Sequence, residues 1–338
     1  MNVHTLLRYF FKIKSPRLRM AGLWLFHVTG RRYLGAFFDP VVACNLRCRM
    51  CYFSVAGGHE TQPPMPWDQV ERVADALFHR VMKLQIGCGA EPTLYPRLAD
   101  LVALGKRKGI PYVSITTNGK LLTAVSLEKL AEAGLDELTL SAHGLTQATY
   151  ESLMPRGSFA DFQRVLRDVT ELKKRFPGFK LRINYTVNED NWRDLLQFPR
   201  VFAGVPVDLV QIRPVQDLGE SDYRNFSLEA IARNYDRVFP PIADFCRQHA
   251  ITLLYPQPRH LQVLTEDAPA QALSVQDYAY CYISTSCCWK SDFHYAEEDF
   301  DAYCRRNHVG SELWNAIWRR RKPAGEKWKT RPLNYDVK

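Results

Sequence analysis

Between residues 36 and 213, strand-like and helix-like stretches alternate without interruption. Apolar runs at 36–43, 81–86, 112–117, 137–141, 179–187 and 207–213 read as strands. Residues 66–80, 97–108, 127–133, 158–175 and 191–204 read as helices, the first with Val70, Val73, Leu77 and Phe78 at helical spacing. A crossover long enough to hold a helix returns the chain so that each strand runs parallel to the last. Six strands are too few for a closed eight-stranded barrel, so the expected fold is α/β, a partial (β/α)6 TIM-like barrel. A long helix at 228–249 and a short strand at 251–255 follow, after which the alternation stops and cysteines appear. The expected organisation is a basic leader over 1–35, a core over 36–225, and a small cysteine-rich extension over 226–338.

Parallel sheets gather ligands at the carboxyl ends of their strands, and the polar punctuation falls there. Cys44, Cys48 and Cys51 follow the first strand, and Gly87 to Pro92 the second. Thr117-Asn118-Gly119 follows the third, Ser141-Ala142-His143-Gly144 the fourth, Asn188 the fifth and Arg213 the sixth. The C-x3-C-x2-C spacing supplies three thiolates, one fewer than a closed four-cysteine site, so one metal position is open to another ligand. A structural zinc site completed by His59 or Cys88 is the alternative, with Cys88 otherwise a packed thiol.

With Gly89-Ala90-Glu91-Pro92 after the second strand, these motifs resemble the radical S-adenosylmethionine (radical SAM) superfamily over roughly residues 36–215. The resemblance implies a [4Fe–4S] cluster on Cys44, Cys48 and Cys51, with SAM bound at its open iron. It also implies reductive cleavage of SAM to a 5′-deoxyadenosyl radical that abstracts hydrogen from substrate. Gly89, Ala90 and Glu91 match the turn that receives the SAM amino group. Ala90 replaces a usual second glycine, which a negative φ would allow. Met50 stands where an aromatic is common, leaving Tyr52 as the nearest ring. Ser141 matches a SAM-contacting position, His143 falls where many relatives have an acid, and Asn118 and Asn188 are further cofactor-binding candidates. A reductant such as flavodoxin or ferredoxin is an implied partner; the substrate, whether peptide, carbohydrate or other small molecule, is not implied.

Cys281, Cys287, Cys288 and Cys304 lie in the extension. Relatives with twitch or SPASM extensions bind auxiliary clusters there, so a second [4Fe–4S] cluster is one expectation, with Cys246 as a substitute ligand. The other is that Cys281, Cys287 or Cys288 donates a hydrogen atom to a substrate radical, which would favour epimerisation over oxidation or peptide maturation. Trp314 and Trp318, four apart, suggest a helix face packed on the barrel.

The net charge of +9 sits at the ends. Residues 1–38 carry +7 and residues 319–338 carry +6, leaving about −4 between them by difference. Two solvated tails are one expectation for these ends, and contact with an anionic partner such as a membrane surface, a carrier or RNA is the other, Leu6 to Phe11 offering an apolar face. A non-catalytic iron–sulfur or zinc protein using its basic ends on nucleic acid is the competing reading. No apolar run approaches the roughly 20 residues of a membrane span, and no secretory signal is evident. A cytoplasmic setting is therefore expected, in which nine cysteines serve as thiols and metal ligands.

Overall fold

The computed structural model describes residue 13 and residues 15–54, 62–216, 221–223, 226–261 and 275–318. Its centre is one nine-stranded sheet, ordered β7-β6-β5-β4-β3-β2-β1-β8-β9. The six expected strands are β1 (Leu34–Asp39), β2 (Val81–Ile86), β3 (Tyr112–Thr117), β4 (Glu137–Ala142), β5 (Lys180–Val187) and β6 (Leu209–Pro214). Each pairs in parallel with the next, and β7 (Thr252–Leu254) extends the series. Because the order is sequential, every crossover steps the same way, and right-handed crossovers then place the helices on one face. That face is apolar and buried, as with Leu34, Ala36 and Phe38 of β1 and Leu138, Leu140 and Ala142 of β4. The alternate positions form the other, polar face, including Gln85, Ser114, Ser141, Asn184 and Gln211. Near its base Tyr112 donates to Glu137 at 2.9 Å, and the Lys83 ammonium lies 5.5 Å from the Tyr112 ring centroid. The sheet is open, as a partial barrel requires.

The sheet also continues past residue 255, where no strand was expected. β8 (Tyr280–Ser284) pairs in parallel with the free side of β1, and β9 (Cys287–Cys288) folds back antiparallel on it. The helix expected over 228–249 is two helices. One spans Glu229–Arg233 and the other Tyr235–Gln248, with Asn234 between them outside helical geometry at φ −105° and ψ 16°.

Part of the leader is structured. Helix α1 (Pro16–Val28) starts at Ser15, whose hydroxyl accepts the Leu18 N–H. It packs against the helix Val309–Trp318. That helix buries Leu313 and Ile317, not the tryptophan pair: Trp314 packs at a tilt against Trp24 of α1, ring centroids 4.8 Å apart, and Trp318 faces outward. Residues 1–12 and 319–338, which hold most of the charge excess, lie outside the described residues, as does His59. No described helix is long and apolar enough to cross a membrane.

Candidate active site

The cysteine loop leaves the carboxyl end of β1 and is tied down along its length. Arg47 N–H donates to Pro155 O and Arg49 N–H to Leu153 O, both at 3.1 Å. The Arg49 side chain pairs with Asp222 at 3.1 Å and Asp190 at 3.4 Å. Within the loop, Cys51 N–H donates to Cys48 O at 2.9 Å. Burial pushes all three thiols up, most for Cys48, where charge on Cys44 and Cys51 adds to the rise. Ionising the three together in this buried loop is therefore costly, and a bound cation would offset that cost. Among the described residues no three His, Cys, Asp or Glu side chains are preassembled around a metal position. The fit to an iron–sulfur cluster thus rests on the three-thiol donor set and on Asn45 Nδ2, buried in the same loop without a partner.

The turn after β2 is held from two sides. Asp39, buried at the end of β1, accepts the N–H groups of Cys88 at 2.7 Å and Gly89 at 2.9 Å, and the Tyr282 hydroxyl at 2.9 Å. Glu91, also buried, accepts four donors. Thr93 N–H (3.1 Å), Thr93 Oγ1 (2.6 Å) and Thr117 Oγ1 (2.5 Å) reach its Oε1, and Asn118 N–H (2.9 Å) reaches Oε2. Burial raises the pKa of both carboxyls while these hydrogen bonds oppose the rise. Glu91 thereby fastens the turn to the exit of β3.

Gly87 leaves β2 at φ +80°, where a Cβ would meet Thr116 O at 2.4 Å. Gly89 needs glycine for a different reason: its Cβ would lie 2.3 Å from the Tyr52 hydroxyl, which donates to Gly89 O at 3.2 Å. Ala90 is not among the residues with positive φ, so its methyl fits where relatives carry glycine. Gly89→Ala should cost about 1–3 kcal/mol of apo-protein stability by displacing the phenol. Adding Tyr52→Phe should recover part of that loss, a non-additivity readable in a urea-denaturation double-mutant cycle.

The remaining sequence candidates line the same strand ends. Asn118 Nδ2 donates to Asn45 Oδ1 at 2.8 Å. Asn188 is fully buried, its Oδ1 accepting Asp190 and Asn191 N–H groups while its Nδ2 has no partner. Ser141 is half-buried on the polar face beside Asn184. His143 accepts the Thr186 N–H on Nδ1 at 3.3 Å, which leaves Nε2 as its N–H donor. Burial, helped by the Arg213 charge, lowers its pKa from 6.5 to about 3.

That depression sets a sign. The unfolded chain binds a proton at this position before the folded one does. The stability it confers is intact above pH 6.5 and is lost as pH falls toward about 3. Urea midpoints should therefore drop more steeply across that window in wild type than in His143→Gln; parallel curves would contradict this placement.

The extension's cysteines divide. Cys281 lies fully buried on the β8 face opposite Tyr282, and its electrostatic neighbours are Cys288, Cys287 and Lys290. Cys287 is exposed on the same hairpin. Cys304 instead lines a cleft of about 450 Å³ with His27, Arg80, Asp301 and His308. That cleft lies at the amino end of β2, where Asp301 is engaged by Arg80 at 2.7 Å and His79 at 3.2 Å. Cys246 is buried in the helix Tyr235–Gln248. Cys88, read from sequence as a packed thiol, is exposed and bonded to Tyr280 within the field of Arg213. Sequence reasoning missed Asp39, Asn45 and Tyr282, and it named Thr117 in the strand-end motif without its bond to Glu91. Only Asp39 left a signal, as an acid inside an apolar run.

Comparison with known proteins agrees with this geometry. The family model described as the radical SAM superfamily matches residues 39–198. A probable GTP 3′,8-cyclase of Sulfolobus acidocaldarius is 29% identical over 56% of this chain and 59% of its own length. An AdoMet-dependent heme synthase of Methanosarcina barkeri is 25% identical over 74% of this chain and 70% of its own. The chain thus spans little more than half the length of the cyclases it matches. In fold it is similar to Streptococcus suis SuiB bound to S-adenosylmethionine, with a TM-score of 0.57 at 18% identity, covering 75% of this chain and 58% of that one. The enzyme anSMEcpe with bound AdoMet gives 0.52 at 18% identity, over 65% and 64%.

Proposed function

The chain is a radical SAM superfamily enzyme over residues 39–198, and from that premise we propose that it abstracts hydrogen from a substrate seated against the polar face of the sheet. The observation that carries this reading is the doubly fastened turn 88–91 beside three thiols, with the unpartnered Asn45 Nδ2 buried in the same loop. When bound, a [4Fe–4S] cluster and SAM supply a 5′-deoxyadenosyl radical at that place.

The chain's own groups do the positioning. Cys44, Cys48 and Cys51 are the cluster ligands. Asp39 draws the N–H groups of Cys88 and Gly89 to one side of the turn, leaving its carbonyl side to face the SAM amino group. Glu91, with four protein donors already on its carboxylate, acts as a positioning residue. Asn188 Nδ2 is a donor suited to the SAM carboxylate or ribose. His143 offers a neutral Nε2–H to the substrate, and Ser141 a hydroxyl to SAM. A low-potential donor such as flavodoxin or ferredoxin supplies the electron. The substrate stays within the classes named above, and a role for the basic ends on an anionic or membrane surface is part of the same proposal.

The hairpin of Cys281, Cys287 and Cys288 is the remaining candidate for a second cluster; the placement of Cys304 in a separate cleft favours a ligand set without it. Anaerobic reconstitution with iron and sulfide, followed by reduction with SAM, tests the whole. Release of 5′-deoxyadenosine is expected, and its absence from protein holding an intact cluster would overturn the enzymatic reading. About four irons per chain retained in a Cys44/Cys48/Cys51 triple-alanine variant would establish the hairpin cluster, and none would dismiss it.

A further inference from the structure

The cysteine loop carries one buried donor that nothing in the described protein accepts, and its orientation is dictated by a relay. Lys120 N–H donates to Asn118 Oδ1 at 2.9 Å, which settles which way the Asn118 amide faces. Asn118 Nδ2 is thereby turned to Asn45 Oδ1, 2.8 Å away, and that contact orients the Asn45 amide in turn. The amino end of Asn45 is what is left over: Nδ2 is buried without a partner. A flip of either amide would set like groups against each other, so the orphan cannot be removed by reassigning atoms.

The side chain stands beside the first cysteine. Asn118 Nδ2 donates to Cys44 Sγ at 4.0 Å, as Leu46 N–H does at 3.5 Å, and the Cys44 thiol in turn donates to Asn45 Oδ1 at 4.0 Å. A buried amide donor with no acceptor is unfavourable, and native structures rarely keep one unless a bound group completes it. Sulfur of an iron–sulfur cluster, whether thiolate or sulfide, is an acceptor of the right kind for this place.

We propose that Asn45 Nδ2 donates a hydrogen bond to the cluster at its Cys44 corner, and that the Lys120–Asn118–Asn45 relay holds it there. The inference rests on the reading that Cys44, Cys48 and Cys51 bind a [4Fe–4S] cluster. Its consequence is electronic. A donor aimed at cluster sulfur binds the electron-richer reduced state more strongly, and so raises the reduction potential. Asn45 is a positioning and tuning residue, setting how readily the cluster accepts an electron from its reductant.

The test is a potentiometric titration followed by electron paramagnetic resonance, on reconstituted full-length wild type, Asn45→Leu and Asn118→Ala, each without and with SAM. Iron counting comes first. In Asn45→Leu without SAM, the reduced-to-oxidised ratio at a given potential should fall about tenfold, a shift of about 59 mV to lower potential for one electron. Asn118→Ala, which frees the Asn45 amide to turn, should shift the same way by less. If Asn45→Leu takes up no iron, Asn45→Ser replaces it, with the same expected direction. Wild-type potentials in variants holding four irons would overturn the proposal. So would a shift seen only with SAM present, which would assign the donor to the SAM carboxylate. A wild type that assembles no four-iron cluster would sink the cluster reading itself, a result distinct from unchanged potentials.

Discussion

Cys48→Ala is expected to abolish 5′-deoxyadenosine formation and to release the iron held by the cysteine loop. Cys48 is the thiol on which burial and the charges of Cys44 and Cys51 converge. Its carbonyl also accepts from Cys51 N–H and Ser54 Oγ, so the residue is a hub of the loop as well as a proposed ligand. Loss of a group that only orients a metal ligand lowers activity about 10–100-fold. Loss of one of three ligands should exceed that range. Turnover by anaerobic chromatography and iron by colorimetric assay read the two effects separately. Cys246→Ala, which removes a buried thiol from the helix Tyr235–Gln248, is the control and should keep both.

The second large effect is on folding. Glu91→Ala strands four donors that now converge on one carboxylate, two of them main-chain N–H groups at the exits of β2 and β3. Each buried orphan costs about 1–3 kcal/mol. With some relief from water entering the space, the sum should be about 3–5 kcal/mol, a large part of the stability of an ordinary domain. Glu91→Gln keeps an oxygen for three donors but sets an NH2 against the fourth, and should cost roughly 1–3 kcal/mol. Urea denaturation of metal-free protein gives both values without reference to catalysis. Equal, small losses in the two variants would mean that the carboxylate does not hold the turn.

Much of this site could be read from one sequence because its parts are local. The strands 81–86 and 112–117 have the expected bounds, each an apolar run stopped by glycine or Asn-Gly. The three cysteines and the 89–92 turn are each short local motifs, so the resemblance to the radical SAM superfamily could be seen in the sequence. What escaped is what depends on distant partners. Asp39 is an acid whose ligands come from residues 88, 89 and 282, and no local pattern announces them. The Asn45 relay runs through residues 118 and 120. Strand β8 alternates Tyr280 and Tyr282 with Cys281 and Ile283, a period of two in plain view. The cysteines drew the segment toward a metal-binding reading, and only pairing with β1 identifies it as a strand. The break at Asn234 was hidden because helical apolar spacing continues across it.

The place of β8 has a consequence for how the molecule is made. β1 is completed on one side by β2, soon after it leaves the ribosome, but on the other only by a strand whose Tyr282 is 243 residues away from Asp39. Closing so long a loop is slow relative to pairing neighbours. Until β8 has been made, β1 is therefore an open edge, with no tyrosine yet on Asp39. Pairing of β8, which follows β1 to β7 in the chain, completes the Asp39 site after the turn at 88–91 has been made.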